Sequence, residues 1–385
     1  MPKRERLRSD QLTDRARHLL TDRFGAGGDT HVGYAHSGFG LFAQHTCFVD
    51  GEAALLSLSQ GTAVAVRVVD EGPSVMVGEG PGTRFDIEAL EAGQLDAPLW
   101  ARVVAAVWPM VREAGRHVQV AVIATGVPNV AEPYLASIAV ATMRALLLAR
   151  GREEGVELPF SALSAEISRL IRGPYSMAYL MAADAGSVDT IVMVNTLTRA
   201  RRNIPIPGGD AICWGIVDVG SGAPRDEGAY RQFAHLAEEA LQILKKGPYR
   251  DLRSLASLEF RELNRALGSL PKKLRPVVRF LVGETHRAHH LDTALKRSDW
   301  QVVGGLLFFS HAALRQEWAG TNEQVDYVVE TVESLGGEGM YGACLSGRSG
   351  CVLVVGQRYA VPSCIERIKE GFMDRFGREP EAMLL

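Results

Sequence analysis

His31, His36, His45, Cys47 and Asp50 fall close together near the start of the chain. Imidazole nitrogens, a thiolate and a carboxylate are the donors zinc takes, and a thiol beside an imidazole is the pairing that makes a nucleophile. Their intervals fit no strong metal signature. His286, His289 and His290 recur at i, i+3 and i+4, which would set three imidazoles on one helix face. Exposed or partly packed side chains account for that pattern without a ligand. Asp184 is an isolated carboxylate suited to a helix surface or cap, and the basic run Arg199-Ala-Arg-Arg202 suits a solvated turn.

These residues must be held by a substantial scaffold. Apolar periodicity and breakers predict helices over 12–24, 100–113, 135–150, 163–171 and 230–245, the last stopped by Gly247-Pro248. Strands are expected over 53–58 and 62–69, separated at Gly61, and around 74–78, 84–87, 118–124, 191–194 and 212–218. Helices dominate later, over 252–256, 258–266, 273–295, 300–314 and 324–335, with a closing helix over 362–376. Leu345 and the run Cys351-Val-Leu-Val-Val are expected to pair with the terminal region. Strands and helices mix in both halves without a regular βαβ repeat, which argues for an α+β fold over a doubly wound sheet.

At 385 residues the chain can bury a large core divided between two domains, and 46% hydrophobic residues exclude a disordered chain. A formal net charge of -3 offers no general attraction to nucleic acid or anionic lipid. No apolar run reaches about 18 residues without a charge or breaker, so no membrane span is expected. Cys47, Cys213, Cys344, Cys351 and Cys364 form neither a zinc pattern nor a disulfide framework. Their odd number, with no apolar signal core at the N-terminus, suits reduced thiols in the cytoplasm.

The stretch Ala35-His-Ser-Gly-Phe-Gly-Leu-Phe-Ala-Gln-His-Thr-Cys-Phe-Val-Asp-Gly51 resembles the first signature of galactokinases. These belong to the GHMP superfamily of galactokinase, homoserine kinase, mevalonate kinase and phosphomevalonate kinase. His45 and Thr46 stand at the middle of the family's Gly-Glu-His-Thr-Asp, while Gly38, Gln44 and Cys47 stand where it has Arg, Glu and Asp. Gln60-Gly-Thr-Ala-Val-Ala, Gly215-Ile-Val-Asp-Val-Gly with Gly228-Ala-Tyr-Arg, Val282-Gly-Glu-Thr-x-Arg and Ser310-His-Ala-Ala-Leu-Arg continue the resemblance. Tyr341-Gly-Ala-Cys-Leu-Ser-Gly-Arg-Ser-Gly-Cys351 is similar to the third, glycine-rich signature, though shorter.

The resemblance implies a two-domain GHMP-kinase fold. Its N-terminal part, 1–205, would be like domain 2 of ribosomal protein S5, and its C-terminal part, 206–385, ferredoxin-like with extra helices. It also implies where kinase chemistry should sit, and there the chain departs from the pattern. The family's phosphate loop matches Thr125-Gly-Val-Pro-Asn-Val-Ala-Glu-Pro-Tyr-Leu-Ala-Ser137, where Glu132 adds a negative charge and Pro133 removes an amide donor. The segment that should carry the catalytic Asp has no acid between Gly173 and Ala183; Tyr179 stands near the expected place and Asp184 comes late. Phosphoryl transfer rests on positioning and charge stabilisation, so these losses together bear directly on activity.

The sequence therefore reads as a galactokinase homologue without sugar kinase activity. Its old cleft would serve a small polar ligand, sugar-like or carboxylate-bearing, or a different reaction. Gln44, His45, Cys47, Tyr230 and Arg348 are the expected ligand-binding residues, with Arg225 a further candidate. Tyr230 matches the family's sugar-contacting tyrosine, and His45 equally suits bracing of its loop. No catalytic residue is assigned, and no cofactor, metal, nucleic acid or membrane enters the reading. A homodimer is compatible with it. The competing readings are a divergent ATP- and Mg-dependent sugar kinase and a noncatalytic interaction or regulatory protein.

Overall fold

The computed structural model describes residues 9–385 except Pro81, Gln94, Leu95, 126–130, Glu154, 221–226 and Ser349. It is α+β and divides into two contact-dense units whose chain paths interleave: 1–38, 57–128 and 132–188 in one, 39–56, 129–131 and 189–385 in the other.

The first unit begins with α1 (Ser9–Phe24), whose Leu12, Ala16 and Leu20 recur every four residues and form its buried stripe. β1 (Thr30–Phe42) and β2 (Glu52–Val69) follow, then β3 (Val75–Val77), β4 (Arg84–Asp86), α2 (Ile87–Glu91), α3 (Leu99–Val107), β5 (His117–Ala124), α4 (Ala131–Ala149), α5 (Phe160–Leu170) and α6 (Met177–Ala185). Residues 62–69 of β2 pair antiparallel with β5, and β5 pairs parallel with β3. The alternating residues Ala63, Ala65, Ala121 and Ile123 point to one face, where they meet the α1 stripe. α4 is long and apolar enough to cross a membrane by composition, but most of it is buried in the protein core. β1 approaches it closely: a Cβ on Gly33 would lie 2.2 Å from the Ala141 carbonyl oxygen.

Gly61 does not separate two strands, as its residue type suggests, because β2 runs through it without a break. A Cβ there would fall 2.4 Å from the Ala35 carbonyl oxygen, so the glycine serves close approach between strands.

The second unit pairs residues 52–56 of β2 with β6 (Thr190–Asn195), and β6 with β7 (Arg201–Pro205). It continues through β8 (Ile212–Asp218), α7 (Glu227–Lys246), α8 (Leu263–Gly268), α9 (Arg275–Lys296), α10 (Trp300–Glu317), α11 (Glu323–Ser334), β9 (Met340–Leu345), β10 (Cys351–Gln357), α12 (Ala360–Phe376) and β11 (Glu381–Leu384). The order in its antiparallel sheet is β11-β8-β10-β9. The terminal strand thus pairs with β8; β10 is an inner strand between β8 and β9, so it cannot pair with the terminal region as its sequence suggested. The expected helix over 258–266 is a 3-10 turn, Phe260–Glu262, leading into α8, and 252–256 holds only the 3-10 turn Leu255–Ser257.

α7 shows why these helices form. Glu227 opens it and Lys245 and Lys246 close it, which complements the helix dipole. Tyr230, Phe233, Ala237, Ala240 and Leu244 make one buried stripe. That stripe belongs to a core with Phe280 and Trp318, against which Phe48 also packs.

Candidate functional site

The first-signature segment is the end of β1, a 3-10 turn over Gln44–Cys47, and the start of β2. The turn is built locally. The Thr46 hydroxyl donates to the Ala43 carbonyl, and the Phe48 and Val49 amides donate to the His45 carbonyl at 3.0 and 3.2 Å. Beyond it, Ser254 Oγ donates to the Asp50 carbonyl at 2.7 Å, and the Gly51 amide donates to Thr196 Oγ1 at 3.0 Å. A Cβ on Gly51 would lie 2.5 Å from Ala256 Cβ, so the chain after the turn has no room for a side chain there.

Three of the five expected ligand-binding residues meet. Gln44 Nε2 donates to the Tyr230 hydroxyl at 2.8 Å, and the Arg348 guanidinium lies over the Tyr230 ring, 4.0 Å from its centroid. Gln44 is 7% exposed and Tyr230 2%, so this polar contact is withdrawn from water. Trp318 meets the Tyr230 ring edge-on at 4.8 Å, and Phe48 stacks beside it at 6.0 Å. Gln44 Oε1 is buried with no hydrogen-bond partner. An unmet buried acceptor is costly, and a donor brought to it would relieve that cost.

His45 turns the other way. His45 is fully buried, and its Nε2–H donates to the Glu52 carbonyl at 2.8 Å. A carbonyl only accepts, so Nε2 carries the proton and Nδ1 is the bare nitrogen. Burial lowers the His45 pKa; Glu284 and the Glu52 carbonyl oppose that shift, and Arg287 adds to it. Glu284 is itself buried and paired with Arg287 at 2.7 Å. His45 therefore braces the turn from inside. Cys47 is half-buried at the end of the turn, and none of the five cysteines is in a disulfide. Burial pushes the Cys364 thiol up to about 12 and raises the Cys344 thiol as well.

The third glycine segment is also fastened. Ser346 Oγ donates to the Gly40 carbonyl at 2.9 Å, and Gly350 accepts from the Val219 amide at 3.1 Å. Gly342 faces Gly304 of α10, and its Cβ would come within 2.5 Å of the Gly304 Cα. That glycine serves helix-to-strand packing.

In the first unit, the phosphate-loop core at 126–130 lies outside the described residues, as does Arg225 at the other candidate position. The described start of α4 carries a buried Glu132, whose backbone carbonyl accepts from Tyr175 Oη at 2.6 Å. Ser137 is committed to packing, with Oγ 2.8 Å from Thr62 Oγ1. In α6, Ser176 caps the N-terminus, Tyr179 is buried, and Asp184 is bound by Arg144 at 2.7 Å. Sequence reasoning missed that partner, because it lies 40 residues away on another helix and no local pattern signals it.

Among the described residues no group of three or more His, Cys, Asp and Glu side chains is placed to hold a metal ion. His36 Nδ1 donates to the Leu58 carbonyl at 3.0 Å; His286 stacks on Phe260 at 4.1 Å, and His289 Nδ1 lies 3.4 Å from Glu52. Phe260, His286, His289 and Glu52 line a groove of about 330 Å³ in the second unit.

No family model matches the chain. A galactokinase from Roseiflexus sp. is 26% identical over 346 residues, covering 88% of this chain and 86% of that protein. A galactokinase from Mannheimia succiniciproducens is 24% identical over 392 residues, covering 95% of each. Among solved structures, Lactococcus lactis galactokinase complexed with galactose superposes with a TM-score of 0.82 at 18% identity, covering 97% of each chain. Methanococcus jannaschii mevalonate kinase gives 0.56 at 12% identity, covering 93% of this chain and 98% of that one. The fold is that of the GHMP kinases. By sequence and by fold the chain is galactokinase-like.

Proposed function

We propose that this galactokinase-like protein does not phosphorylate galactose, and that its first-signature turn recognises a small polar ligand in a cytoplasmic, reducing setting. The observation that carries the first part is the Asp184–Arg144 pair. Asp184 is the sole carboxylate between Gly173 and Gly186, and Arg144 already neutralises and orients it at 2.7 Å. A base for a sugar hydroxyl must be within reach of the proton it takes and free to take it. Gly38 supplies no cation beside such a base. The described part of α4 also fits a nucleotide poorly. Pro133 has no N–H to offer, and a buried Glu132 opposes an arriving phosphate. Five cysteines outside any disulfide support the reducing compartment.

A second reading, a divergent sugar kinase using ATP and magnesium, is favoured by one observation: the relatives that align with nearly the whole chain are named galactokinases. One experiment separates the two. With ATP, magnesium and galactose, turnover is expected to stay far below the range of about 1–1000 per second that enzymes ordinarily reach. An ATP titration accompanies it. Turnover in that range, or micromolar ATP affinity, would restore the kinase reading. Native mass spectrometry of the purified protein then identifies what it carries.

A further inference from the structure

We propose that the outward face of α10 is the surface by which two copies of this chain pair, the two helices running antiparallel about a two-fold axis near Leu307. It is independent of how the first-signature turn is read. The inner face of α10, with Val303, Gly304, Leu307 and Leu314, is buried. The opposite face is apolar too, with Val302 45% exposed and Phe309 67% exposed. No other helix among the described residues carries two exposed large hydrophobic side chains. From Trp300 to Leu314 the helix has no Asp, Glu, Lys or Arg. A helix apolar on all sides belongs in a buried position, and charge is scarce at the centre of an interface.

The spacing of the face says what covers it. Val302, Gly305, Phe309 and Ala312 follow at intervals of three, four and three residues, the pattern of a seam between two helices. Phe309 projects, and Gly305, one turn away, leaves a hole: a Cβ there would meet nothing within 4 Å. In an antiparallel pair centred on Leu307, Phe309 of each copy lies over Gly305 of the other, and Val302 over Ala312. Large meets small in both layers, and the glycine lets the helix axes approach to about 8 Å. A parallel pair would set Phe309 against Phe309 and leave a gap between the glycines. The helix thus carries both halves of the fit at positions that a two-fold axis exchanges. That is the condition for an isologous contact and a closed dimer. One pair of helices makes a small interface, so the dimer is expected to dissociate at roughly micromolar concentration.

Sedimentation velocity of the full chain across roughly 0.1–100 μM, a range that brackets this dissociation constant, tests the proposal. The unaltered chain is expected to pass from monomer to dimer and to form nothing larger. Phe309→Asp is expected to raise the dissociation constant about 100-fold or more, since each dimer loses the projecting ring twice. Gly305→Phe alone should weaken the dimer by filling the hole. Gly305→Phe combined with Phe309→Gly exchanges knob and hole and should restore pairing. Both sites face outward, so circular dichroism should show each variant folded. A chain that stays monomeric throughout the range, with its apolar face left for some other partner, would overturn the proposal. So would open-ended association, a dimer untouched by Phe309→Asp, or an exchanged pair no better than Gly305→Phe alone.

Discussion

Arg144 grips one oxygen of Asp184 twice, with Nε at 2.9 Å and Nη2 at 2.7 Å. The two residues tie α4 to α6, and the carboxylate is 6% exposed. A charge so placed is structural, since removing one partner strands the other in a site poor in water. Asp184→Asn is expected to cost about 1–3 kcal/mol of stability in urea denaturation. Arg144→Met should cost a similar amount, and the double variant less than the sum. If Asp184→Asn abolished an activity while leaving stability unchanged, the carboxylate would have a chemical role after all.

Tyr230→Phe isolates the hydrogen bond from the ring. The phenyl ring keeps the packing against Trp318 and Phe48, while the Gln44 amide loses the partner of its buried Nε2. An orphaned buried donor costs about 1–3 kcal/mol. Thermal and urea unfolding should both show the loss. A variant as stable as the parent would mean that Gln44 finds water there, and that the contact is not closed.

His45 gives stability a defined pH dependence. Burial lowers its folded-state pKa below the ordinary value near 6.5. Between the two values the unfolded chain holds a proton that the folded chain refuses. The contribution is therefore complete above about pH 6.5 and lost as pH falls through that window, at no more than about 1.4 kcal/mol per pH unit. His36 and His286 are also lowered, each mainly by burial, and act with the same sign. His45→Gln, which can still donate to the Glu52 carbonyl, should flatten the slope of stability against pH without abolishing it. An unchanged slope would show that the folded protein admits the proton.

Gly304 and Gly305 are neighbours on α10 with opposite surroundings. A Cβ on Gly304 would lie 1.8 Å from the Tyr341 carbonyl oxygen, whereas one on Gly305 meets nothing within 4 Å. Gly304→Ala must push the helix off β9 and is expected to cost about 3 kcal/mol or more. Gly305→Ala should be neutral or stabilising by up to about 1 kcal/mol, the helix-propensity difference. Similar stabilities for the two variants would contradict the close packing of α10 on β9.

Short-range physics was enough to read much of this molecule from its residues. The α1 stripe, the α7 stripe with its Gly247-Pro248 stop, and the β8 and β10 runs all follow from apolar spacing and turn chemistry. Those signals span a few residues and survive in one dimension. The galactokinase-like frame around His45 and Thr46 was equally plain, because it is contiguous. What lay beyond such reasoning is whatever depends on distant chain segments meeting. Gly61 looked like a break until the neighbouring Ala35 carbonyl explained it. Asp184 looked unattached until Arg144 arrived from another helix. Within a single turn, Gln44 reaches Tyr230 while its neighbour His45 turns into the core. Residue type could not separate those two directions. Side-chain direction in a 3-10 turn is set by the backbone dihedrals, and these are held by Asp50, Gly51 and Glu52 bonded to Ser254, Thr196 and His45 after the chain has folded back on itself.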